Sequence, residues 1–319
     1  FNLLDKMRKY DERQILDSGI VTKAQLSNLK AHLYKQILVS LRLNPVNQNV
    51  RIQIREQLDF ATILYQKGLY KQSLKILDKA KGFAIENEEK NVAYEIVELE
   101  KVIETQYITR SIADRADELA VQAKELSAHN VMTSKLSNLS MQLYSMMLKV
   151  GYVRSDEDLK TVKNYFEAHL PNYDIDSLGF REKLWLYKAY LWYSLLTQDF
   201  LSAYKYASKW VDLFNENKTM IPLNPVFYLK GNHYLLESLF FVKYASQFRE
   251  TLERLEEQVE DSNFPQNDNI ASLAFLYINT NKLNLHFLEG TFDKGLYLVN
   301  IIEYGIKKHR ERIDEHHIM

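Results

Sequence analysis

The sequence predicts an all-α protein made of consecutive antiparallel helices joined by short turns. Three observations carry this. Apolar residues recur at steps of three and four along nearly the whole chain, the period of an amphipathic helix. Its 319 residues include only 9 Gly and 5 Pro, against average usage of about 7% and about 5%, so few breaks are built in. Period-two alternation with β-branched enrichment, the mark of a strand, is hard to find.

The elements follow in order. A charged first helix is expected over Asn2 to Asp17. Thr22 is placed to cap a second, whose apolar set Leu26, Leu29, Leu33, Ile37 and Leu41 stops at Asn44-Pro45. A third runs from about Asn47 to Lys67 with Ile54, Leu58, Ala61 and Leu64 inward, and Gly68 ends it. Helices are then expected over 70–85, 90–107, 111–128, 132–150, 156–169, 180–197, 200–215, 225–243, 246–260, 268–289 and 292–313. The linkers hold the turn formers Gly151, Pro171-Asn172, Gly179, Pro222, Pro225 and Pro265. Links this short make consecutive helices antiparallel neighbours.

Some helices are apolar almost all round: Leu184 to Tyr193, Val226 to Tyr244 and Ile270 to Leu288. Their partners are amphipathic, as in Phe248 to Val259, where Glu250, Glu253, Arg254, Glu256 and Glu257 must face water. In a stacked pair one helix is covered on several sides while the other forms the outside, and the two patterns divide accordingly.

A short pattern recurs at the helix junctions: a small residue, an aromatic two later, and a small residue three after that. It reads Gly68, Tyr70, Ser73, again Gly290, Phe292, Gly295, and in degenerate form Gln198, Phe200, Ala203. Glycine takes the left-handed conformation that ends a helix, the aromatic plugs the space between two helices, and the small residue lets their backbones approach. These segments resemble the inter-helix turn of the tetratricopeptide repeat. The first copy matches best, with Ala61 and Leu64 before the turn and Gly68, Tyr70, Ser73, Leu77 and Ala80 at matching steps. Turns fall near residues 68, 109, 151, 198, 243 and 290, so the unit is longer than the standard repeat of about 34 residues. The resemblance implies a right-handed α-solenoid of about six to seven antiparallel helix pairs. It forms one continuous domain over 1–319, with N-terminal capping helices at 1–46 and repeat pairs at 47–313. From the opening at Phe1 and the helix-like residues after 313 the expectation is a fragment of a longer chain.

Composition narrows the function. The net charge is −1, from 41 basic and 42 acidic residues, without the basic excess that meets nucleic-acid phosphates. The chain has no cysteine, which excludes disulfides, Cys-ligated zinc and thiol catalysis. No apolar run reaches the roughly 20 residues that span a bilayer, and no secretory signal is visible, so the expected location is the cytoplasm. There is no glycine-rich phosphate loop and no paired-histidine metal pattern. His316 and His317 are adjacent and so point to different faces of a helix. The expectation is a protein without cofactor or metal and without catalytic residues.

The 21 Tyr, 15 Phe and 3 Trp suit a recognition surface as well as a core. Tetratricopeptide proteins line a groove with particular positions of the first helix of each pair. Carried onto this chain, the resemblance implies a groove containing Arg55, Thr62, Tyr65, Gln66, Lys188, Trp192, Lys230, His233, Glu237, Thr280 and Asn284. Lys188, Lys230, His233, Glu237 and Asn284 are polar residues inside otherwise apolar helices, and an unpaired buried charge is costly, so they must reach water or a partner. The expected function is a non-enzymatic scaffold that binds a protein or peptide, the lysines suiting a peptide carboxylate. A sensory module of a longer regulatory protein is the alternative. A helical enzyme is third, and needs an enclosed pocket with two or more perturbed carboxylates or histidines.

Overall fold

A computed structural model describes residues 10–44, 49–106 and 113–309. Among them are fourteen α-helices, one short 3-10 turn and no strand. The described residues fall into two compact units, one up to Glu56 and one from Gln57.

The first unit holds α1 (Glu12–Asp17), α2 (Lys23–Leu43) and the start of α3 (Val50–Gln66). Thr22 caps α2 as its sequence position requires. Its hydroxyl accepts from the Gln25 amide at 3.3 Å, and the Gln25 side chain accepts from the Thr22 amide at 2.9 Å, closing a capping box. The apolar stripe of α2 is mostly uncovered: Leu26 is buried, whereas Leu29, Ile37 and Leu41 are about half exposed.

The second unit continues with α4 (Tyr70–Glu86), α5 (Lys90–Gln106), α6 (Ala113–Val150), α7 (Asp156–His169), α8 (Phe180–Leu196), α9 (Phe200–Glu216), α10 (Met220–Leu223), α11 (Pro225–Phe241), α12 (Ala245–Glu260), α13 (Asp268–Glu289) and α14 (Phe292–His309). Most pack on their neighbours in the chain, and α6 on α8, α9 on α11 and α11 on α13 pack in addition. Ring pairs give the directions. Tyr190–Tyr206 and Phe180–Phe214 make α8 and α9 antiparallel. Trp210–Tyr234 and Phe214–Tyr228 do the same for α9 and α11, as the ion pairs Arg249–Glu289 and Lys282–Glu256 do for α12 and α13.

One expectation is corrected. The helices foreseen at 111–128 and 132–150 are a single helix of 38 residues, α6. Neither glycine nor proline lies between Leu126 and Leu136 to stop it, and its buried apolar residues form two faces, Leu119, Ala123 and Leu126 in the first half and Leu136, Leu139 and Leu143 in the second, turned roughly 130° from each other about the axis. The turn foreseen near 109 lies outside the described residues.

Five turns share one geometry. Gly68, Glu88, Gln198, Lys243 and Gly290 all have φ between 58° and 73°. At each, the next amide reaches back to a carbonyl five residues earlier: Leu69 to Leu64, Glu89 to Ala84, Asp199 to Ser194, Tyr244 to Leu239 and Thr291 to His286, at 2.8–3.0 Å. This is the left-handed helix end that satisfies the last orphan carbonyls. Three of the five are not glycine, so the geometry is imposed by the packing of the two helices that meet there. In the first copy Ser73 also ties the pair together, its hydroxyl donating to the Ala61 carbonyl at 2.7 Å in a fully buried contact.

The main core runs through α6, α8, α9, α11, α12 and α13 around Trp210, Phe214 and Phe248. Gly231 makes room for it: a Cβ there would sit 2.9 Å from the Trp210 ring. Two buried ion networks tie the earlier helices. Lys81 on α4 pairs with Glu100 on α5 at 2.7 Å, and Arg115 on α6 approaches the same carboxylate at 3.4 Å. Glu182 at the start of α8 is fully buried and meets His129 of α6 at 2.6 Å and Lys90 of α5 at 3.7 Å.

Candidate functional site

The apolar helices α8, α11 and α13 carry the polar residues that the sequence singles out. Trp185 meets Phe227 at 5.5 Å and Trp192 meets Tyr234 at 5.2 Å, both edge to face. Each pair spans 42 residues, and Lys188 and Lys230 are separated by the same 42, so α8 and α11 run parallel and in register. His233 stacks on Tyr277 at 4.5 Å, and Phe240 meets Phe287 at 6.1 Å, which makes α13 parallel to α11 as well. Residues of α8, α11 and α13, three parallel helices separated in the chain by α9, α10 and α12, thus lie side by side.

At one level of this face stand two lysines. The Lys188 ammonium lies 4.6 Å from the Trp185 ring centre and 5.6 Å from that of Phe227. Burial, and next the like charge of Lys230, lower its pKa to about 8. Among the described residues no carboxylate pairs with either lysine. The aromatic rings offset part of the cost of desolvating a cation but do not neutralise it.

Lys230, His233 and Glu237 follow at steps of three and four on one side of α11, so Glu237 lies about 10 Å from Lys230 along the axis. Burial alone pushes the Glu237 carboxyl up to about 7, and no basic side chain among the described residues pairs with it. Tyr152 and Tyr234 both feel its charge, and Tyr234 in turn feels Tyr277 and Tyr144. Tyr144 of α6 packs on Trp192 at 4.7 Å and is 40% exposed, so this aromatic group opens to water. Among the described residues two buried polar atoms nearby find no hydrogen-bond partner, Trp192 Nε1 and Asn281 Oδ1. The Asn281 amide nitrogen donates to the Tyr277 carbonyl at 2.7 Å and lies 3.1 Å from His233 Nδ1.

The remaining groove residues divide. Asn284 lines an open, mainly apolar cavity of about 440 Å³ with Phe240, Leu283, Phe287, Phe292 and Leu296. Thr280 is exposed. On α3, Tyr65 donates to the Gln106 side chain at 2.8 Å, Thr62 donates to its own helix at the Leu58 carbonyl, and Gln66 is exposed. Arg55 belongs to the first unit and is exposed. The structure therefore gathers Lys188, Trp192, Lys230, His233 and Glu237 and leaves the α3 residues elsewhere in the chain. Sequence reasoning passed over Tyr144, Tyr152, Tyr234 and Asn281. Tyr234 and Asn281 each sit one residue from a chosen groove position, but nothing local marks Tyr144 or Tyr152.

Among the described residues no group of three or more His, Asp or Glu is placed to hold a metal, and no helix is long and apolar enough to cross a membrane. No protein-family model matches the chain, and neither a curated protein nor a solved structure was found to resemble it.

Proposed function

We propose that this chain is a non-enzymatic scaffold that binds a protein or peptide segment on the face shared by α8, α11 and α13. We further propose that its architecture is a long-repeat, right-handed α-solenoid of tetratricopeptide type. The architecture is supported by five helix ends of one geometry and by parallel helices in a register of 42 residues. One observation carries the function. Desolvation lowers the pKa of Lys188 to about 8 and raises that of Glu237 to about 7, and among the described residues no opposite charge pairs with either. Ionisable groups perturbed by desolvation on an accessible face mark sites that act on something else. An enzyme of the hydrolase kind needs a second perturbed acid or base beside the first; on this face Glu237 is the one carboxyl with a raised proton affinity.

Replacing both lysines tests this reading. K188E/K230E is expected to keep the helical circular-dichroism signal and to lose the partners that the unaltered chain captures. A double variant that folds and captures the same partners removes the face from consideration.

A further inference from the structure

The Lys188–Lys230 end of the face accounts for an anionic group in a bound segment. It leaves Glu237 unexplained, and Glu237 is the more unusual residue. It stands one helical turn beyond Tyr234 on α11, and Tyr234 heads a chain of rings from different elements, meeting Trp192 of α8 at 5.2 Å, which meets Tyr144 of α6 at 4.7 Å; Tyr152, in the link after α6, feels the Glu237 charge. No cation from the chain pairs with it among the described residues, although 41 Lys and Arg are present in the sequence. A carboxylate beside aromatic faces is the arrangement that receives an organic cation, since the ring quadrupoles and the acid attract the same charge. The unpartnered Trp192 Nε1 and Asn281 Oδ1 show that the hydrogen bonding of this region is incomplete within the chain.

We propose that Glu237, with Tyr144, Tyr152, Trp192 and Tyr234, is a receptor for the lysine or arginine side chain of a bound peptide. This rests on the scaffold reading above and sharpens it. The two ends of the face are of opposite sign and about 10 Å apart along α11. An extended peptide covers that distance in about three residues. The selected segment therefore carries an acidic and a basic residue about three positions apart, the acid at the lysines and the base at Glu237.

A random dodecapeptide library displayed on phage and selected on the chain reads this out, in parallel with selections on E237Q and K188Q/K230Q. The expected result is enrichment of Lys or Arg at a set distance from Asp or Glu, with the basic preference lost on E237Q and the acidic preference lost on K188Q/K230Q. A selected peptide re-synthesised with norleucine in place of its base is expected to bind at least about tenfold more weakly to the unaltered chain, the loss of a charge-assisted contact. It is expected to bind E237Q no more weakly than its parent does. Peptides that depend on Lys188 and Lys230 but show no basic preference overturn the Glu237 receptor and leave the scaffold standing. A library that yields no specific binder overturns both.

Discussion

Glu237 is a residue that the fold tolerates at a cost. Its carboxyl holds a proton up to about pH 7, against an ordinary value of 4.5, because burial penalises the charged form. The folded state thus binds this proton more tightly than the unfolded chain does. The stability linked to it is fully present below about pH 4.5 and is lost as the pH rises through 7, to a total of about 3 kcal/mol. Glutamine resembles the protonated acid. E237Q is therefore expected to match the parent in urea unfolding at pH 4.5 and to exceed it by up to about 3 kcal/mol at pH 8. Equal stabilities at pH 8 would mean that the carboxylate has found compensation. A variant that is more stable but no longer prefers basic peptides separates binding from folding, the pattern of a residue kept for function.

At the scale of the element, the helix ends decide how well one helix hands over to the next. Gly68 and Lys243 occupy the same left-handed conformation, with φ of 73° and 60°. A side chain in that conformation costs roughly 1–2 kcal/mol. Gly68→Ala is expected to destabilise the chain by about 1 kcal/mol, and Lys243→Gly to stabilise it by about 1 kcal/mol, both by thermal or urea unfolding. Gln198 is a poorer choice, because its side chain donates to the Val153 carbonyl at 2.7 Å and glycine would forfeit that bond. Opposite signs at two sites of one geometry are the outcome that identifies the turn, and not the side chain, as the source.

At the scale of the whole second unit, helices touch mainly their neighbours in the chain, so stability is local. Glu100 is fully buried and neutralises Lys81, which is 6% exposed. Glu100→Ala leaves that lysine with only the exposed Asp78 carboxylate at 3.9 Å, a loss of about 3 kcal/mol. Hydrogen exchange is expected to show faster opening of α4, α5 and the first half of α6, with α11 to α13 unchanged. Uniform loss of protection across all helices would show that the unit unfolds as one block.

The sequence by itself determined the helices and where they end. Gly68, Gly151 and Gly290 announce their left-handed turns, Thr22 its cap, and the apolar all-round helices α8, α11 and α13 announce that they lie inside. These are local matters of dihedral preference and periodicity, legible in a window of a few residues. It misjudged α6, because the buried face changes side between Leu126 and Leu136, which reads as two helices although no breaker separates them. It could not rank the groove positions either. Only the tertiary structure decided that Lys188 feels Lys230 and that Tyr152 and Tyr234 feel Glu237, which has no ion-pair partner among the described residues. Desolvation and charge pairing depend on which residues 40 or more positions away arrive at the same place, and Tyr144 and Tyr152 reach Trp192 and Glu237 only through the packing of α6 on α8.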